Sequence, residues 1–211
     1  MGIPKCPLCE NDSTHFFIYR KRTYFRCNGC NSIFVDPDNL LGYENEKERY
    51  LEHNNDVFDP GYRNFVRPLV DVVISEFTPQ HFGLDFGAGP GPVISQMLKE
   101  KAYNIVQYDP FFCNNIDLLT SQYDYIVCCE VIEHFHDPAK EFSSLKSMLN
   151  HGGKLILKTD ILKPNTDFKQ WYYKNDATHV FFYSLKSFDF IVKKFGFSQI
   201  TIDDRLIIIE L

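Results

Sequence analysis

A tight glycine turn between a short apolar strand and a helix restricts the fold of this chain most strongly. Residues 82–86 form the apolar segment, and Gly87, Gly89 and Gly91 follow it within a few positions. Pro92 then suits a first helical turn, because that position needs no backbone N–H. A strand, a glycine turn and a helix in this order are typical of α/β folds, in which the glycines let the backbone approach a ligand closely.

The charges near this turn favour a cationic ligand. Asp85 precedes the first glycine, and its carboxylate would repel a diphosphate but attract an ammonium or sulfonium group. The spacing Gly-x-Gly-x-Gly also differs from the Gly-x-Gly-x-x-Gly of dinucleotide folds. Asp109 follows the next strand, where an acid can bind both ribose hydroxyls. The turn therefore favours S-adenosylmethionine over NAD, with a nicotinamide-dependent reductase or a purely structural turn as the alternatives.

Strands and helices alternate through residues 81–211, which predicts a mostly parallel sheet. The apolar segments predict strands at 82–86, 104–108, 123–129, 154–159, 196–202 and 205–211. The start and stop signals predict helices at 61–77, 92–101, 138–149 and 184–195. Residues 111–122 have no clear pattern, so no strand is predicted there.

Two Cys-x-x-Cys pairs near the N-terminus predict a small metal site. Cys6 and Cys9 form one pair, and Cys27 and Cys30 form the other. Zinc takes four thiolates in a tetrahedron, and two tight turns can each present two sulfur atoms. A redox pair or four unrelated thiols are the alternatives. We expect three regions, which are a zinc ribbon at 1–35, a connector with a leading helix at 36–80, and the main domain at 81–211.

The charge distribution bears on the partners of the chain. The net charge is −6, yet residues 1–35 carry five basic residues against two acidic ones. Basic and aromatic residues alternate over 19–26, a pattern that suits either nucleic acid or a solvated hairpin, and the acidic remainder favours the hairpin. The chain has no apolar run of about 20 residues and no signal-peptide core at its N-terminus. We therefore expect a cytoplasmic protein.

Three segments in combination resemble the class I S-adenosylmethionine-dependent methyltransferases. Residues 85–91 resemble the first motif of that family, and Asp109 resembles its ribose-binding acid. Residues 123–138 resemble the segment after its fourth strand, which usually ends in a Glu-Val-Leu-Glu-His-like turn. The resemblance covers roughly residues 50–211. It implies a Rossmann-like sheet of seven mostly parallel strands, flanked by helices, with the last strand antiparallel.

The resemblance also implies which residues hold the cofactor. The cofactor site would consist of Asp85, Phe86, Gly87, Ala88, Gly89, Gly91, Tyr108, Asp109, Pro110, Cys129 and Glu130. Cys129 and Glu130 would lie beside the methionine portion. The chain departs from the family at the adenine amino group, where no acid clearly matches and Asp117 and Asn115 are the two candidates. Residues 52–55 and Tyr62 could cap the cofactor or belong to a connector helix.

The chemistry of methyl transfer points to two histidines. The displacement needs a nucleophile about 3 Å from the methyl group, and an oxygen nucleophile needs a base with a pKa near 7. His134 follows the fourth strand, and His179 lies in an aromatic segment at 171–183. Each could be the catalytic base or a histidine bonded only to backbone. Trp171 and Tyr172 could form a wall of the substrate site or belong to the hydrophobic core.

The sequence thus predicts a methyltransferase that acts on a small polar acceptor at oxygen, nitrogen or carbon. A sugar, a phenol or a biosynthetic intermediate would suit such a site, and zinc would be structural. The N-terminal ribbon, with residues 33–37 after it, is similar to that of methyltransferases often found among sugar and secondary-metabolite enzymes. Two alternatives stay open, which are an RNA or protein methyltransferase that grips its substrate with the ribbon, and a non-catalytic cofactor-binding module.

Overall fold

The computed structural model of the chain describes residues 2–52 and 56–211. His53, Asn54 and Asn55, which the sequence suggests as part of a cofactor cap, lie outside the described residues. The described strands are β1 (Ser13–Tyr19), β2 (Arg22–Cys27), β3 (Ile33–Val35), β4 (Phe82–Phe86), β5 (Asn104–Tyr108), β6 (Tyr123–Cys129), β7 (Leu149–Lys158), β8 (Phe181–Phe182), β9 (Gln199–Asp203) and β10 (Leu206–Glu210). The described α-helices are α1 (Tyr43–Leu51), α2 (Pro60–Glu76), α3 (Val93–Lys99), α4 (Pro138–Ser147) and α5 (Leu185–Phe195).

The main sheet has the strand order β5-β4-β6-β7-β10-β9. β4 pairs in parallel with β5 and β6, and β6 pairs in parallel with β7. β10 runs antiparallel to both of its neighbours, β7 and β9. The described residues therefore form the predicted Rossmann-like, mostly parallel sheet with its last strand antiparallel, which confirms the fold class.

The sheet has six strands within the described residues, not the seven that the family resemblance implies. The segment between β5 and β6 holds a single bridge between Asp109 and Cys113 and a short 3-10 turn at Ile116–Thr120. A parallel crossover with its own helix needs a dozen or more residues besides the strand that it leads to. The segment is too short for both, so β5 is left as the edge strand.

The boundary between α4 and β7 moves most from its predicted place. The sequence predicts that a helix extends to residue 149 and that a strand begins at 154, whereas α4 ends at Ser147 and β7 begins at Leu149. The register between β6 and β7 shifts where Tyr123 pairs with Leu149 and Tyr125 pairs with Lys154. β7 therefore has extra residues between Leu149 and Lys154. Gly152, with a φ of +75°, lets them form a bulge within the strand.

Helices cover both faces of the main sheet. Alternate residues of β6 point in opposite directions, so Tyr125 and Val127 pack with α2 and α3, while Ile126 and Cys128 pack with the cluster that includes α4 and α5. Burial on both faces explains why the central strands are continuously apolar. Among the described residues, no helix is both long and apolar enough to span a bilayer.

The N-terminal segment forms a second sheet that shares a strand with the main domain. Its order is β1-β2-β3-β8, and the neighbouring strands are all antiparallel. β8 comes from residues 181–182, far along the chain, and Val35 N–H donates to the Val180 carbonyl at 2.9 Å. The ribbon is therefore attached to the segment around residue 180. The predicted domain boundaries at 35 and 80 stay predictions.

Candidate active site

A large cavity opens at the carboxyl ends of β4, β5 and β6. Its volume is about 1240 Å³, which is ample for a small-molecule ligand and a second reactant. Open α/β sheets bind ligands at this edge, where the strand order reverses. Of the residues predicted to contact the cofactor, those lining the cavity are Phe86, Gly87, Ala88, Gly89, Tyr108, Asp109, Pro110, Cys129 and Glu130. Helix α1 supplies the facing wall through Glu46, Arg49 and Tyr50.

The glycine turn needs glycine for two separate reasons. Gly87 has a φ of +75° and Gly89 a φ of +65°, which is the left-handed region that residues with a side chain rarely adopt. A Cβ on Gly87 would also lie 2.6 Å from Val131 Cγ2. The turn thus packs directly against the segment that follows β6.

The turn does not cradle an anion. The N–H groups of Gly87 and Ala88 donate to the Tyr108 carbonyl at 2.8 and 3.2 Å. The N–H of Gly89 donates to Asp109 Oδ2 at 2.9 Å. Because these donors are already bonded, they are not available for a diphosphate, in contrast to a dinucleotide-binding loop.

Asp109 joins the glycine turn to the end of β5. Its Oδ1 accepts from the N–H groups of Phe111 and Phe112 at 2.8 and 3.1 Å, while Oδ2 accepts from Gly89. The side chain is buried at the cavity wall. An ionised carboxylate has about four lone-pair sites, so a ligand hydroxyl can still bind.

Three residues expected at the site do not line the large cavity. Asp85 is buried and accepts from the Oγ and N–H of Ser95 at 2.8 and 3.2 Å, so its carboxylate points to α3 and not into the large cavity. Burial raises the pKa of Asp85 to about 6. Asp85 and Gly91 border a small neighbouring cavity of about 20 Å³. Trp171 is outside both cavities, where its Nε1 donates to Asp160 at 3.3 Å.

The adenine contact expected from Asn115 or Asp117 is also absent from the cavity wall within the described residues. Asn115 is exposed and caps the 3-10 turn by accepting from the N–H of Asp117 at 3.2 Å. Phe111 and Phe112 occupy this part of the wall instead, and Phe111 stacks on Tyr43 of α1 at 4.6 Å between ring centroids. The sequence does not predict this contact, because residues 111–122 have no periodicity that would mark Phe111 and Phe112 as part of a wall.

Acidic side chains dominate the cavity wall. Among the described residues, seven carboxylates line the cavity against two lysine or arginine side chains. The acidic residues are Glu46, Glu52, Asp109, Glu130, Asp137, Glu141 and Asp176. The basic residues are Arg49 and Lys140. Three of these acids pair with an arginine, namely Glu52, Glu130 and Asp176. The others leave the wall with an excess of acidic side chains, which favours a cation.

A connected set of acids and hydroxyls lies below the end of β6. Glu130, with a φ of +52°, accepts from Arg205 Nη2 at 2.8 Å, and its Oε2 lies 3.2 Å from the Tyr173 hydroxyl oxygen. The fully buried Glu133 accepts from Thr159 Oγ1 at 3.0 Å and also from the Tyr173 hydroxyl. Burial raises the pKa of Glu133 to about 7, and burial together with the charge of Glu133 raises that of Glu130 to about 8.

Glu133 and Tyr173 lie in segments that the sequence singles out, at 123–138 and 171–183, but neither residue is predicted to have a role of its own. The signal that could have found Glu133 is its place in Glu-x-x-Glu-His, with the second acid directly before a candidate histidine. Tyr173 lies among several aromatic residues, and nothing in the local pattern distinguishes it from the core.

The two candidate histidines lie side by side at the cavity wall. Their ring centroids are 4.8 Å apart. His134 Nδ1 donates to the Thr178 carbonyl at 2.9 Å, and His179 Nδ1 donates to the Tyr173 carbonyl at 2.7 Å. A carbonyl can only accept, so each Nδ1 carries the proton and each Nε2 keeps its lone pair. Burial lowers both pKa values, that of His179 to about 3, so each ring is neutral at pH 7.

Residues 62–202 match the family described as "Methyltransferase domain", which is about two thirds of the chain. The chain belongs to the methyltransferase domain family. This methyltransferase is similar to the ubiquinone biosynthesis O-methyltransferase of Erwinia tasmaniensis, at 29% identity over 89 residues, 42% of this chain and 35% of the relative. The protein of the same name from Coxiella burnetii is 26% identical over 104 residues, 48% of this chain and 43% of the relative. The chain therefore matches less than half the length of these curated relatives.

Solved structures confirm the fold of the methyltransferase. A SAM-dependent methyltransferase from Archaeoglobus fulgidus aligns with a TM-score of 0.56 at 16% identity, covering 81% of this chain and 100% of that one. An O-methyltransferase family protein from Burkholderia thailandensis aligns with a TM-score of 0.51 at 13% identity, covering 70% and 56%. This fold, together with the family match, confirms the class I S-adenosylmethionine-dependent methyltransferase predicted from the sequence.

The four N-terminal cysteines of the methyltransferase meet at one point. Their sulfur atoms all lie within 4.8 Å of one another, with Cys6 Sγ 3.7 Å from Cys30 Sγ and Cys9 Sγ 3.3 Å from Cys27 Sγ. These distances exceed the roughly 2.05 Å of a disulfide and are close to the ~3.8 Å edge of a zinc–thiolate tetrahedron. The N–H groups of Gly29 and Cys30 donate to Cys27 Sγ at 3.3 and 3.4 Å. The cluster can therefore hold one metal ion.

The basic hairpin of the methyltransferase holds the segment that carries His179. Arg22 Nη2 donates to the His179 carbonyl at 2.7 Å, and Nη1 donates to the Asp176 carbonyl at 3.2 Å. Arg49 of α1 binds Asp176 Oδ2 at 2.8 Å from the other side. At least one arginine of the alternating 19–26 stretch thus faces the candidate site instead of solvent.

Proposed function

We propose that this methyltransferase moves the methyl group of S-adenosylmethionine to an oxygen atom of a small polar acceptor bound in the cavity. The observation that carries the proposal is the acidic cavity at the glycine turn, because its carboxylates favour a sulfonium ligand and its bonded N–H groups disfavour a diphosphate. The names of the curated relatives, which are O-methyltransferases, support oxygen as the acceptor atom.

The described residues fit the cofactor. Asp109 would receive the ribose hydroxyls, and Cys129 and Glu130 would lie beside the methionine portion. Phe111 would offer an aromatic face to the adenine ring. The bound cofactor supplies the electrophilic methyl group. Gly87 lets the turn pack against Val131, since a Cβ there would lie 2.6 Å from Val131 Cγ2, and this packing would keep the turn in place beside the cofactor.

The two histidines would serve the acceptor and not the cofactor. Both are neutral and both have a free Nε2 lone pair at the cavity wall, so they suit a role in orienting an acceptor hydroxyl. His179 is too weak a base, with a pKa of about 3, to hold a proton at neutral pH. The sequence suggested a general base with a pKa near 7. We propose instead that the histidines orient the acceptor hydroxyl and that the proton of this hydroxyl passes to solvent water.

The four cysteines would hold a structural zinc ion, and the ribbon would support the His179 segment. This role draws on the Arg22 contacts and on the pairing of β3 with β8. An RNA or protein methyltransferase would need basic side chains free for the macromolecule. Arg22 is turned to the main domain, so one of the four basic side chains of the 19–26 stretch is not free for a macromolecule.

Methyl transfer can be tested with S-adenosylmethionine labelled in its methyl group. The protein is incubated with phenols, sugars and hydroxy acids, and mass spectrometry follows the labelled product and S-adenosylhomocysteine. We expect at least one small hydroxylated acceptor to gain a methyl group. Binding of S-adenosylhomocysteine without transfer to any small acceptor would contradict the proposal, and labelling of transfer RNA or protein in the same assay would favour the macromolecular alternative.

A further inference from the structure

An arginine from the last hairpin reaches the wall of the cofactor site. Arg205 directly precedes β10, whose first residue, Leu206, pairs with Lys158 at the carboxyl end of β7. β7 lies between β10 and β6, and neighbouring strands are about 4.8 Å apart, so β10 is about 10 Å from β6. The Arg205 side chain covers this distance, and its Nη2 donates to both carboxylate oxygens of Glu130 at 2.8 Å. The last hairpin thereby takes part in a site to which it contributes no predicted cofactor residue.

The fold holds Arg205 by both its backbone and its side chain. The Arg205 carbonyl accepts from the N–H of Thr159 at 3.1 Å. The guanidinium carbon lies 5.6 Å from the centre of the Phe65 ring and 6.0 Å from that of Tyr173. The Nε of Arg205 is buried and has no hydrogen-bond partner among the described residues. An unpaired buried donor costs free energy, and the two bonds to Glu130 offset that cost.

Glu130 needs a nearby cation because a second carboxylate lies close to it. Glu130 and Glu133 both approach the hydroxyl of Tyr173, which has a single hydrogen to donate. Two carboxylates that share a site resist ionising together, so one of them tends to keep a proton. Burial and the charge of Glu133 raise the pKa of Glu130 to about 8, while Arg205 acts in the opposite direction. Arg205 therefore favours the ionised form of the acid at the cavity wall.

The other charged and titratable groups around Glu130 do not replace Arg205. Lys158 donates its Nζ hydrogen to the Phe65 carbonyl instead. The remaining groups are neutral at pH 7, since burial raises the pKa of each hydroxyl or thiol and lowers that of the imidazole; they are Cys129, Tyr62, Tyr172, Tyr173 and His134. Among the described residues, Arg205 is thus the cation that bonds to Glu130.

Two further acids lie near the guanidinium group of Arg205. Asp160 accepts from the Tyr172 hydroxyl at 2.9 Å, and Asp204 pairs with Lys163 at 2.8 Å. Each of these acids therefore has a donor of its own. Lys163 is exposed, lies outside the cavity wall and binds the same turn that carries Arg205, so it offers a matched control.

We propose that Arg205 is a positioning residue for the cofactor, because it holds the carboxylate of Glu130 ionised and in place to bind the ammonium group of the methionine portion. This inference rests on the proposed function, in which Glu130 lies beside the methionine portion. An ionised carboxylate has about four lone-pair sites, so it can accept from Arg205 and from an ammonium group together. A protonated carboxyl group lacks the charge that attracts the ammonium group.

A double-mutant cycle tests whether Arg205 acts through Glu130. Calorimetry measures the affinity for S-adenosylhomocysteine, which carries the same ammonium group, in the unaltered chain, Arg205→Met, Glu130→Gln and the double variant. We expect Arg205→Met to weaken binding at least about tenfold at pH 7. In chains that already carry Glu130→Gln, it should cause little further loss. The control Lys163→Met should bind as the unaltered chain does.

The pH dependence of binding separates positioning from a structural role. In the unaltered chain the affinity should rise with pH up to about 8, because Glu130 must lose its proton before it binds the ammonium group. Without the charge of Arg205 the pKa of Glu130 is higher, so the rise should come at a higher pH in Arg205→Met. Glu130→Gln should make the affinity depend less steeply on pH. A merely structural role would lower the affinity by the same factor at every pH.

Circular dichroism shows whether each variant is folded. If Arg205→Met does not fold, Arg205→Lys takes its place in the cycle, where it should weaken binding less because it keeps the charge without the planar fork. An equal loss with and without Glu130→Gln, or a pH profile that the Arg205 variant does not shift, overturns the positioning role and leaves the methyltransferase intact. Failure of the unaltered chain to bind S-adenosylhomocysteine would instead overturn the proposed function, and this inference with it.

Discussion

Single residues decide the shape and the charge of this site. Gly87 meets two constraints at once, a positive φ and a side chain of Val131 within van der Waals reach. Gly152 has the same φ of +75° but nothing within 4 Å of an added Cβ. Alanine substitutions at Gly87 and Gly152 therefore distinguish the cost of backbone strain, which both would have, from the cost of steric contact, which only Gly87 would have.

Replacing Gly87 by alanine should damage cofactor binding more than it damages the fold. The added Cβ must displace Val131 or the turn, so we expect affinity for S-adenosylhomocysteine to fall at least about tenfold, which is roughly 1.4 kcal/mol. Gly152→Ala should cost only the left-handed strain of about 1–2 kcal/mol in unfolding free energy and keep its affinity. Calorimetry and urea unfolding measure the two quantities, and equal affinities in both variants would contradict the steric argument.

The buried carboxylate of Asp85 makes stability depend on pH. Its pKa is raised from 3.8 to about 6, so the folded chain binds more protons than the unfolded chain between those values. Stability must then fall as pH rises through that window. Asp85→Asn removes the titration, and its unfolding free energy should depend less steeply on pH between 4 and 6.5. Urea unfolding of both chains at several pH values tests this, and parallel curves would refute it.

At the scale of elements, the ribbon acts on the site through its contact with the 176–184 segment. β3 pairs with β8, and Ser184 Oγ donates to the Cys30 carbonyl at 2.6 Å. Arg22 holds the carbonyl of His179 itself. The ribbon therefore supports the part of the cavity wall that carries His179.

Arg22→Ala should loosen that support. Hydrogen bonds from a charged donor are worth about 1.5–3 kcal/mol each, so amide hydrogen exchange should accelerate by tenfold or more across residues 178–183. Methyl transfer should slow, while affinity for S-adenosylhomocysteine stays unchanged because the cofactor turn lies on other strands. Arg67→Ala, at an exposed position of α2, is the control, and unchanged exchange at 178–183 in Arg22→Ala would disprove the support.

At the scale of the whole molecule, the sequence predicted local features well and distant pairings poorly. The bounds of β4, β5 and β6 follow from apolar runs bordered by turns, and the structure reproduces all three. The pairing of β3 with the two-residue β8 joins positions far apart in the chain and has no local signal. Glu133 and His179 meet for the same reason, because only the folded backbone brings the end of β6 to the 171–183 segment. The Asp85 carboxylate accepts from Ser95 because the fold brings the first turn of α3 next to it. The order of residues along the chain does not reveal that contact.

The ribbon and the main domain should unfold as one unit. Ile33, Val35 and Tyr24 of the ribbon share a hydrophobic cluster with Leu162, Phe168, Tyr173, Val180 and Phe182. Phe34 also stacks on Phe181 at 6.4 Å between centroids. Stripping metal from the cysteines removes the folding energy of a segment with little core of its own, and the loss should spread through this shared cluster.

Differential scanning calorimetry of the full chain tests this coupling. We expect one transition with metal in the ribbon, and one transition at a temperature several degrees lower after chelation or in Cys27→Ser, because a loss of 1 kcal/mol lowers Tm by about 2–4 °C in a chain of this size. Cys113→Ser, which changes an exposed cysteine outside the cluster, should leave Tm unchanged. Two separate transitions, or a ribbon that melts while the main domain keeps its Tm, would mean that the pairing of β3 with β8 does not couple their stability.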